Sequence, residues 1–560
     1  MCGIFSILNC DNIQDAEIEN EFMKGKKRGP EFSKLQKFYK FSLGFHRLAI
    51  NGLNQESNQP IIFNNIILIC NGEIYNYKEL YKSLSVTPIT QSDCEVIIHL
   101  YLAYGIKQTL LMLDGVFSFI LVDNRINQNS QDNFIFIARD PLGVRPLYML
   151  DNDKDHYNLY PLYGFASELK CLEKFYNINT FHYKIKQFTP GTYSVFKLSS
   201  NVQSKWEPII QNLSYFQMSF PFSLVSNKIS DVLADKIYEN IAFYLKSAII
   251  KRCETTERPV ACLLSGGLDS SLIAALVADY FKLNGKTIET YSIGLENSED
   301  IKYARIVANY IGSKHHEIIV TEDDMFNSIP EVIEALESYD TTTVRASLGN
   351  YLIGKYISTH SDAKVIFNGD GSDELFGGYL YMNKCPNDIE FDFETRRLLT
   401  DIHLFDVLRS DKSISSNGLE PRTPFLDRSF VNYVLSIPIY LRNHNNSGLC
   451  EKYLLRNAFV LSRYKNFDGQ QILPDEILWR KKEAFSDGVS SQGRSLFQIL
   501  QEKIALKTNM EPNIQTEKKY YKIIFDKLYR NCEDILPYFW MPKYTNATDP
   551  SARTLIFYNK

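Results

Sequence analysis

The run Leu263-Leu264-Ser265-Gly266-Gly267-Leu268-Asp269-Ser270-Ser271 constrains this chain more than any other stretch. An apolar, partly β-branched segment, Pro259 to Leu264, leads into it. Ser271 to Ala278 follows as a helix packed on its apolar side. A strand, a Gly-Gly turn and a helix start form a cradle for phosphate. Glycine lets the backbone approach an anion, and free N–H groups at the helix N-terminus point at it. Ser265, Ser270 and Ser271 add hydroxyl donors, and Asp269 is placed to hold a metal carried by phosphates. No Gly-Lys-Ser/Thr follows at the Walker A spacing. The plain alternative is a βα turn with a Ser cap.

Around this loop the chain alternates. Helix 231–252 precedes strand 260–264. Helix 270–283 precedes strand 288–293, helix 299–311 precedes strand 315–320, and helices near 330–338 and 347–359 precede strand 364–368. That pattern predicts an α/β doubly wound parallel sheet, whose ligands bind beyond the C-terminal strand ends. Two further strings fall there. Glu337 to Ser347 places hydroxyls and Arg345 just before a helix, suited to carboxylate or pyrophosphate, or simply a cap beside a surface Arg. Asn368-Gly369-Asp370-Gly371-Ser372-Asp373-Glu374 sets three acids among glycines after a strand, suited to a metal and an acid/base group, or simply an acidic turn.

At 560 residues the chain exceeds what one core can organise, so at least two domains are expected. Its net charge of -5 and lack of Lys/Arg runs give no sign of a nucleic-acid partner. No apolar run reaches a membrane span, and the N-terminus lacks the pattern of a signal peptide. The 10 cysteines contain no CxxC pair and read as reduced thiols of a cytoplasmic protein.

The chain begins Met1-Cys2-Gly3. Removal of Met1 would leave Cys2 with an α-amine beside its own thiol, nucleophile and base in one residue; a merely buried Cys is the alternative. A basic turn, Lys27 to Pro30, follows. Gly44 to Ile50 reads as a strand with Arg47 in it. Cys70-Asn71-Gly72-Glu73 is either a hairpin turn or a source of oxyanion donors. Asp93 either caps an amphipathic helix from Val96 or binds an amine. Strands are expected at 113–121, 134–140, 143–148 and, last, 190–195. Surface loops are expected at 124–133 and 151–161, and a linker within 199–228.

These N-terminal strings resemble the N-terminal-nucleophile glutaminase domain of class II amidotransferases. The Ser265 loop resembles that of ATP pyrophosphatases. With Thr342-Thr343-Val344-Arg345, Gly371-Ser372-Asp373-Glu374, Pro424-Phe425-Leu426-Asp427 and Trp479 to Gly488 in order, the whole chain resembles the glutamine-hydrolysing asparagine synthetases, and its tail the animal type. The resemblance implies an α+β glutaminase sandwich at 2–200, an α/β ATP pyrophosphatase-like domain at 229–510, and a C-terminal tail at 511–560. It implies Cys2 as nucleophile with Asn71 and Gly72 at the oxyanion. Glutamine would be bound by Arg47, Leu48, Ala49, Ile50, Asn51, Glu73 and Asp93. ATP would be bound by Leu263, Ser265, Gly266, Gly267, Asp269, Ser270, Ile293, Asn368 and Gly369. Thr342, Thr343 and Arg345 would bind aspartate or diphosphate, Asp269 and Asp373 would bind Mg²⁺, and Asp370 and Lys482 would act in catalysis. Small-molecule substrates (glutamine, aspartate and ATP), a cytoplasmic location, no nucleic-acid or membrane partner, and room for a homodimer go with it.

One departure stands out. The family usually has Glu where this chain has Asp370, which withdraws the carboxylate by roughly ~1.5 Å. Asp370 is expected to work through a small loop shift. Two other readings are an amidotransferase with another acceptor, such as a β-lactam-forming synthetase, and a degenerate synthetase kept as a binding protein.

Overall fold

The computed structural model describes residues 2–125, 132–152, 161–177, 183–199, 204–220, 231–482, 488–490 and 493–555. The first domain has twelve described strands: β1 (Gly3–Leu8), β2 (Phe32–Phe38), β3 (Phe41–Arg47), β4 (Ile61–Phe63), β5 (Ile66–Ile74), β6 (Gly115–Asp123), β7 (Asn133–Arg139), β8 (Tyr148–Asn152), β9 (Tyr163–Ala166), β10 (Tyr183–Gln187), β11 (Thr192–Leu198) and β12 (Trp206–Ser214). They form two antiparallel sheets, ordered β10-β8-β9-β1-β3-β2 and β12-β11-β7-β6-β5-β4. The strand period of two explains why their sequences are apolar nearly throughout. On β5 and β6, Ile67, Ile69, Ile120 and Val122 join Ile4, Leu43 and Phe45 of the other sheet in one buried cluster. Their alternates Ile66, Leu68, Phe119 and Leu121 pack in another cluster with Leu80, Ile97 and Leu100 of the covering helices. Both faces of the sheet are therefore dry.

The second domain carries five parallel strands: β13 (Val260–Leu263), β14 (Glu289–Gly294), β15 (Lys314–Ile319), β16 (Val365–Phe367) and β17 (Glu420–Arg422). Their order, β15-β14-β13-β16-β17, reverses direction between β13 and β16. Helices lie on both faces. Cys262 and Phe367 cluster with Leu272 and Leu276, whereas Ala261 and Ile366 cluster with Ile353, Ile357 and Ile414. The expected doubly wound parallel sheet is present, and its switch point lies where the two Gly-rich loops emerge.

The two domains share a core. Phe5, Ile7 and Leu150 of the first join Ile329, Val332, Leu500, Tyr521 and Phe525 of the second in one buried cluster. Helices Leu496–Thr508 and Ile514–Leu528 thus close the molecule.

Several local expectations fail, each for a physical reason. Residues 143–147 form no strand: both carboxylate oxygens of Asp140 accept backbone N–H groups, from Leu142 (3.2 Å), Val144 (2.9 Å) and Arg145 (2.9 Å), and fold the chain into a turn before β8. β11 is followed by β12, an edge strand whose Pro208 and exposed polar residues hide its period. The linker therefore begins after Ser214. Helix Val96–Met112 is not amphipathic at its start, since Val96 to Tyr101 are buried all round, and it breaks at Gly105 with φ of 74°. Helix Thr341–His360 starts six residues before the expected 347, capped by Asp340. β17 is an unforeseen three-residue strand whose Glu420 and Arg422 are buried charges. The loop centres 126–131 and 153–160 lie outside the described residues.

Candidate active sites

Cys2 lies at the head of β1, beside the middle of β5. Its backbone nitrogen donates to Asn71 Oδ1 at 3.1 Å, and its thiol lies 3.8 Å from the Leu48 carbonyl. Asn71 and Gly72 form no hairpin turn; they lie inside β5, paired in register with Ser118 and Phe117. Gly72 is required there because a Cβ would fall 2.5 Å from the Val116 carbonyl oxygen. The Asn71 amide donates to Ser167 Oγ at 3.3 Å. Burial pushes the Cys2 thiol up to about 11, so it is protonated at neutral pH and needs a base to react.

Around this centre, Asn51 Nδ2 donates to Glu73 Oε2 at 2.6 Å. Asp93 caps nothing: Ser92 is the cap, and Asp93 Oδ2 instead accepts the Ile74 N–H at 2.7 Å. Burial pushes Asp93 up to about 6, and burial with neighbouring Glu420 and Asp93 lifts Glu73 well above the carboxylate range. Arg47 is buried, its guanidinium held by the Asn54 carbonyl at 2.9 Å, by Asn58 Oδ1 at 2.7 Å and by the Gly52 carbonyl. Ala49 N–H donates to Glu31 at 2.7 Å, and Ile50 accepts from Glu257 of the second domain at 3.0 Å. The strip 47–51 is thus fixed against both domains.

The second cleft opens at the switch point. It is lined by Leu263, Ser265, Gly267, Asp269, Ser270, Ile293, Thr342, Asn368, Gly369, Asp370, Asp373 and Lys482, among others. Gly266 has φ of 73°, and a Cβ on it would meet the Ala304 nitrogen at 2.5 Å. Gly267 begins helix Leu268–Lys282 with no side-chain cap, while the Ser265 and Ser270 hydroxyls bond each other at 3.0 Å. The alternative of a Ser-capped turn fails on that geometry. A Cβ on Gly369 would lie 2.7 Å from the Ser270 nitrogen, so the two loops touch.

Under these loops, Lys452 Nζ lies 2.6 Å from Asp269 and 2.6 Å from Asp373, and Lys482 Nζ lies 2.5 Å from Asp373. Burial alone would raise Asp373, yet the two ammonium groups hold it well below the carboxylate range. Asp269 Oδ1 is buried without a hydrogen-bond partner among the described residues. Two carboxylates already converge on one cationic point, a donor set that suits Mg²⁺ shared with substrate phosphates. Asp370 pairs with Arg409 at 2.8 Å, and the Thr342 hydroxyl is buried without a hydrogen-bond partner among the described residues.

Residues 241–394 and 383–548 match the family model described as asparagine synthase, and residues 1–203 match that described as glutamine amidotransferase domain. The chain is 41% identical over 581 residues to the asparagine synthetase (glutamine-hydrolyzing) of Gallus gallus, covering 100% of this chain and 99% of that one. It is 38% identical over 582 residues to the protein of that name from Cricetulus griseus, with the same coverage, and 37% identical over 582 residues to that from Homo sapiens, again with the same coverage.

The chain belongs to the asparagine synthetase family.

In this asparagine synthetase family member, the cleft gathers the expected residues except three: Gly266, whose Cα faces Ala304 and Tyr303, Thr343 and Arg345. Arg345 does not reach it. The helix that begins early carries Arg345 inward, where its guanidinium grips Glu517 (2.8 and 2.5 Å) and Asp549 (2.7 and 2.8 Å) from the C-terminal segment. Thr343 turns its hydroxyl back to Asp340 at 2.8 Å, serving the cap. Residues 483–487 of the Trp479 to Gly488 string lie outside the described residues. The sequence reading also missed Lys452, Arg409 and Ser167. Only Arg409 left a signal, one helical turn after Asp406, which it joins at 3.0 Å.

Proposed function

We propose that this chain is a glutamine-hydrolysing asparagine synthetase, converting aspartate, glutamine, ATP and water to asparagine, glutamate, AMP and diphosphate. The convergence of Asp269, Asp373, Lys452 and Lys482 under two touching Gly-rich loops carries the reading. It supplies the cationic and metal-binding floor that diphosphate departure needs.

In the first domain, read as an N-terminal-nucleophile sandwich, removal of Met1 turns the Cys2 nitrogen into an α-amine. Asn71 Oδ1, already within 3.1 Å, then holds that amine beside the thiol. The amine takes the thiol proton, sulfur attacks the glutamine amide carbon, and the Asn71 amide and Gly72 N–H receive the oxyanion. Glu73 and Asp93 face the substrate ammonium, and Arg47 its carboxylate. The oxyanion collapses and ammonia leaves with the proton the amine took; water then hydrolyses the thioester, giving glutamate and restoring the thiol, while ammonia passes within the protein to the second cleft.

In that cleft the Ser265 to Ser270 loop holds phosphate, with Leu263 and Ile293 beside the base and Asn368 and Gly369 at the nucleotide. Asp269 and Asp373 would hold Mg²⁺, which when bound offsets phosphate charge. The free Thr342 hydroxyl meets aspartate or diphosphate, and Lys482 faces the α-phosphate. The aspartate β-carboxylate displaces diphosphate to give β-aspartyl-AMP; ammonia then displaces AMP. Asp370, held by Arg409, is placed to accept the ammonium proton.

The test is asparagine formation with ATP, Mg²⁺ and aspartate, supplied with glutamine or with ammonium. Cys2→Ala is expected to lose glutamine-dependent synthesis by at least about 10³-fold while ammonium-dependent synthesis stays within about threefold. Glutamine hydrolysis without any asparagine or diphosphate from the wild type defeats the reading.

A further inference from the structure

The helix Asp406–Ser415 touches both sites. In the cleft, its Arg409 donates to Asp370 at 2.8 Å and its Ser410 Oγ accepts from Asn368 Nδ2 at 2.6 Å. The next residues turn to the first domain. Asp411 accepts from Arg28 at 2.6 Å, and Arg28 Nε donates to the Cys2 carbonyl at 3.0 Å. Lys412, 1% exposed, donates through Nζ to the Ser167 carbonyl (3.2 Å), Glu168 Oε1 (3.0 Å) and Glu337 Oε2 (2.5 Å).

Each Lys412 partner leads to a site. Ser167 Oγ accepts from the Asn71 amide at 3.3 Å. Glu168 pairs with Arg28 at 3.0 Å. The Glu337 carboxylate also accepts the Leu169 N–H at 2.8 Å and the Lys170 N–H at 2.9 Å. Glu337 heads the segment that reaches, through the Asp340 cap, the unpartnered Thr342. Arg28, Lys170 and Lys412 pair with Glu168, Glu337 and Asp411 in a cluster that is buried except for part of Lys170. Such a dry ion cluster stabilises no better than well-packed apolar residues would, so what it contributes is a fixed mutual geometry.

We propose that Lys412 is a positioning residue for coupling: it holds the Ser167–Lys170 segment, which orients Asn71 at the glutaminase centre, in register with Glu337 and helix Asp406–Ser415 of the nucleotide cleft. Glutamine hydrolysis is thereby tied to cleft occupancy. This rests on the two-site reading above.

The test uses the full chain and reads the ratio of glutamate to asparagine formed, with the stimulation of glutaminase by ATP plus aspartate. Lys412→Met is expected to raise the ratio at least about threefold and abolish the stimulation, with ammonium-dependent synthesis retained. Lys412→Arg is expected to restore both. A Lys412→Met enzyme with unchanged ratio and stimulation overturns the proposal. Should Lys412→Met lose both half-reactions through misfolding, Glu337→Gln decides, since it retains an amide acceptor for the segment but not the ion pair. A raised ratio supports the coupling and an unchanged one overturns it. A wild type that hydrolyses glutamine yet forms no asparagine overturns both readings, whereas variants unchanged against a productive wild type overturn this one alone.

Discussion

The Cys2 site and the nucleotide cleft are built in opposite ways. Around Cys2, Asn71, Glu73 and Asp93 sit in or beside antiparallel strands, and each already holds a protein partner. In the cleft, residues stand on loops beyond parallel strand ends, where Asp269 Oδ1 and Thr342 Oγ1 are buried with no hydrogen-bond partner among the described residues. A strand interior satisfies its own polar groups and fixes them before substrate arrives. A strand end leaves backbone and carboxylates for a ligand to complete. Substitutions in the first should therefore disturb one precise contact, and those in the second the charge balance of a whole floor.

The largest effect that sharpens this contrast is expected at Asp373. Asp373→Ala removes the carboxylate shared by Lys452 and Lys482 and should lower ammonium-dependent synthesis by at least about 10²-fold, with glutaminase activity within about threefold. Equal loss of both activities would show that the two sites are not separately built.

Arg345 comes next. Arg345→Leu strands Glu517 and Asp549 in a dry setting, at a cost of about 3–5 kcal/mol. The melting midpoint should fall by roughly 3–4 °C. An unchanged midpoint with lost synthesis would mean that Arg345 enters the cleft in the working enzyme.

A pH dependence separates the sites further. Asp93, pushed up to about 6, is neutral below that value and ionised above it, and burial with the neighbouring Glu420 and Asp93 raises Glu73 as well. Recognition of the substrate ammonium should therefore strengthen as pH rises through about 6. KM for glutamine is expected to climb about tenfold from pH 7 to pH 5, while KM for ammonium-independent substrates of the cleft, ATP and aspartate, stays flat. A flat glutamine profile would assign the ammonium contact elsewhere. The same shift makes Asp93 favour the folded state below its unfolded pKa, a contribution lost as pH rises through about 6.

The smallest effect is expected at Asp370. Its carboxylate already reaches Arg409 at 2.8 Å. Asp370→Glu should change ammonium-dependent turnover by less than about tenfold. A hundredfold gain would show that the shorter side chain is held out of reach.

Much of the architecture was legible because it rests on local physics. The alternation of helix and strand disclosed β13 to β16 and their parallel sheet, and apolar runs disclosed β3, β6, β7 and β11 of the first domain. The loops at Ser265 and Gly369 were readable because glycine, serine and acid at strand ends have few other uses. Where reading failed, a local signal was overridden. Pro208 and exposed polar residues masked β12, and Asp140 folded back residues that looked like a strand.

By itself, then, the sequence determined which chemistries the chain carries: a thiol at position 2, an anion loop, and paired acids after a strand. Tertiary structure alone decided which charges meet. Arg345, Arg409, Lys412 and Lys452 look alike on the page, since a long cation carries no periodicity and its partner can be any acid in the chain. Only folding showed that Lys452 closes the floor of the cleft, that Arg409 holds Asp370, that Lys412 joins the domains through Glu168, and that Arg345 is drawn away to the C-terminal segment. Apart from Asp406, one turn from Arg409, their partners lie from 39 to 245 residues away in sequence, beyond any local pattern.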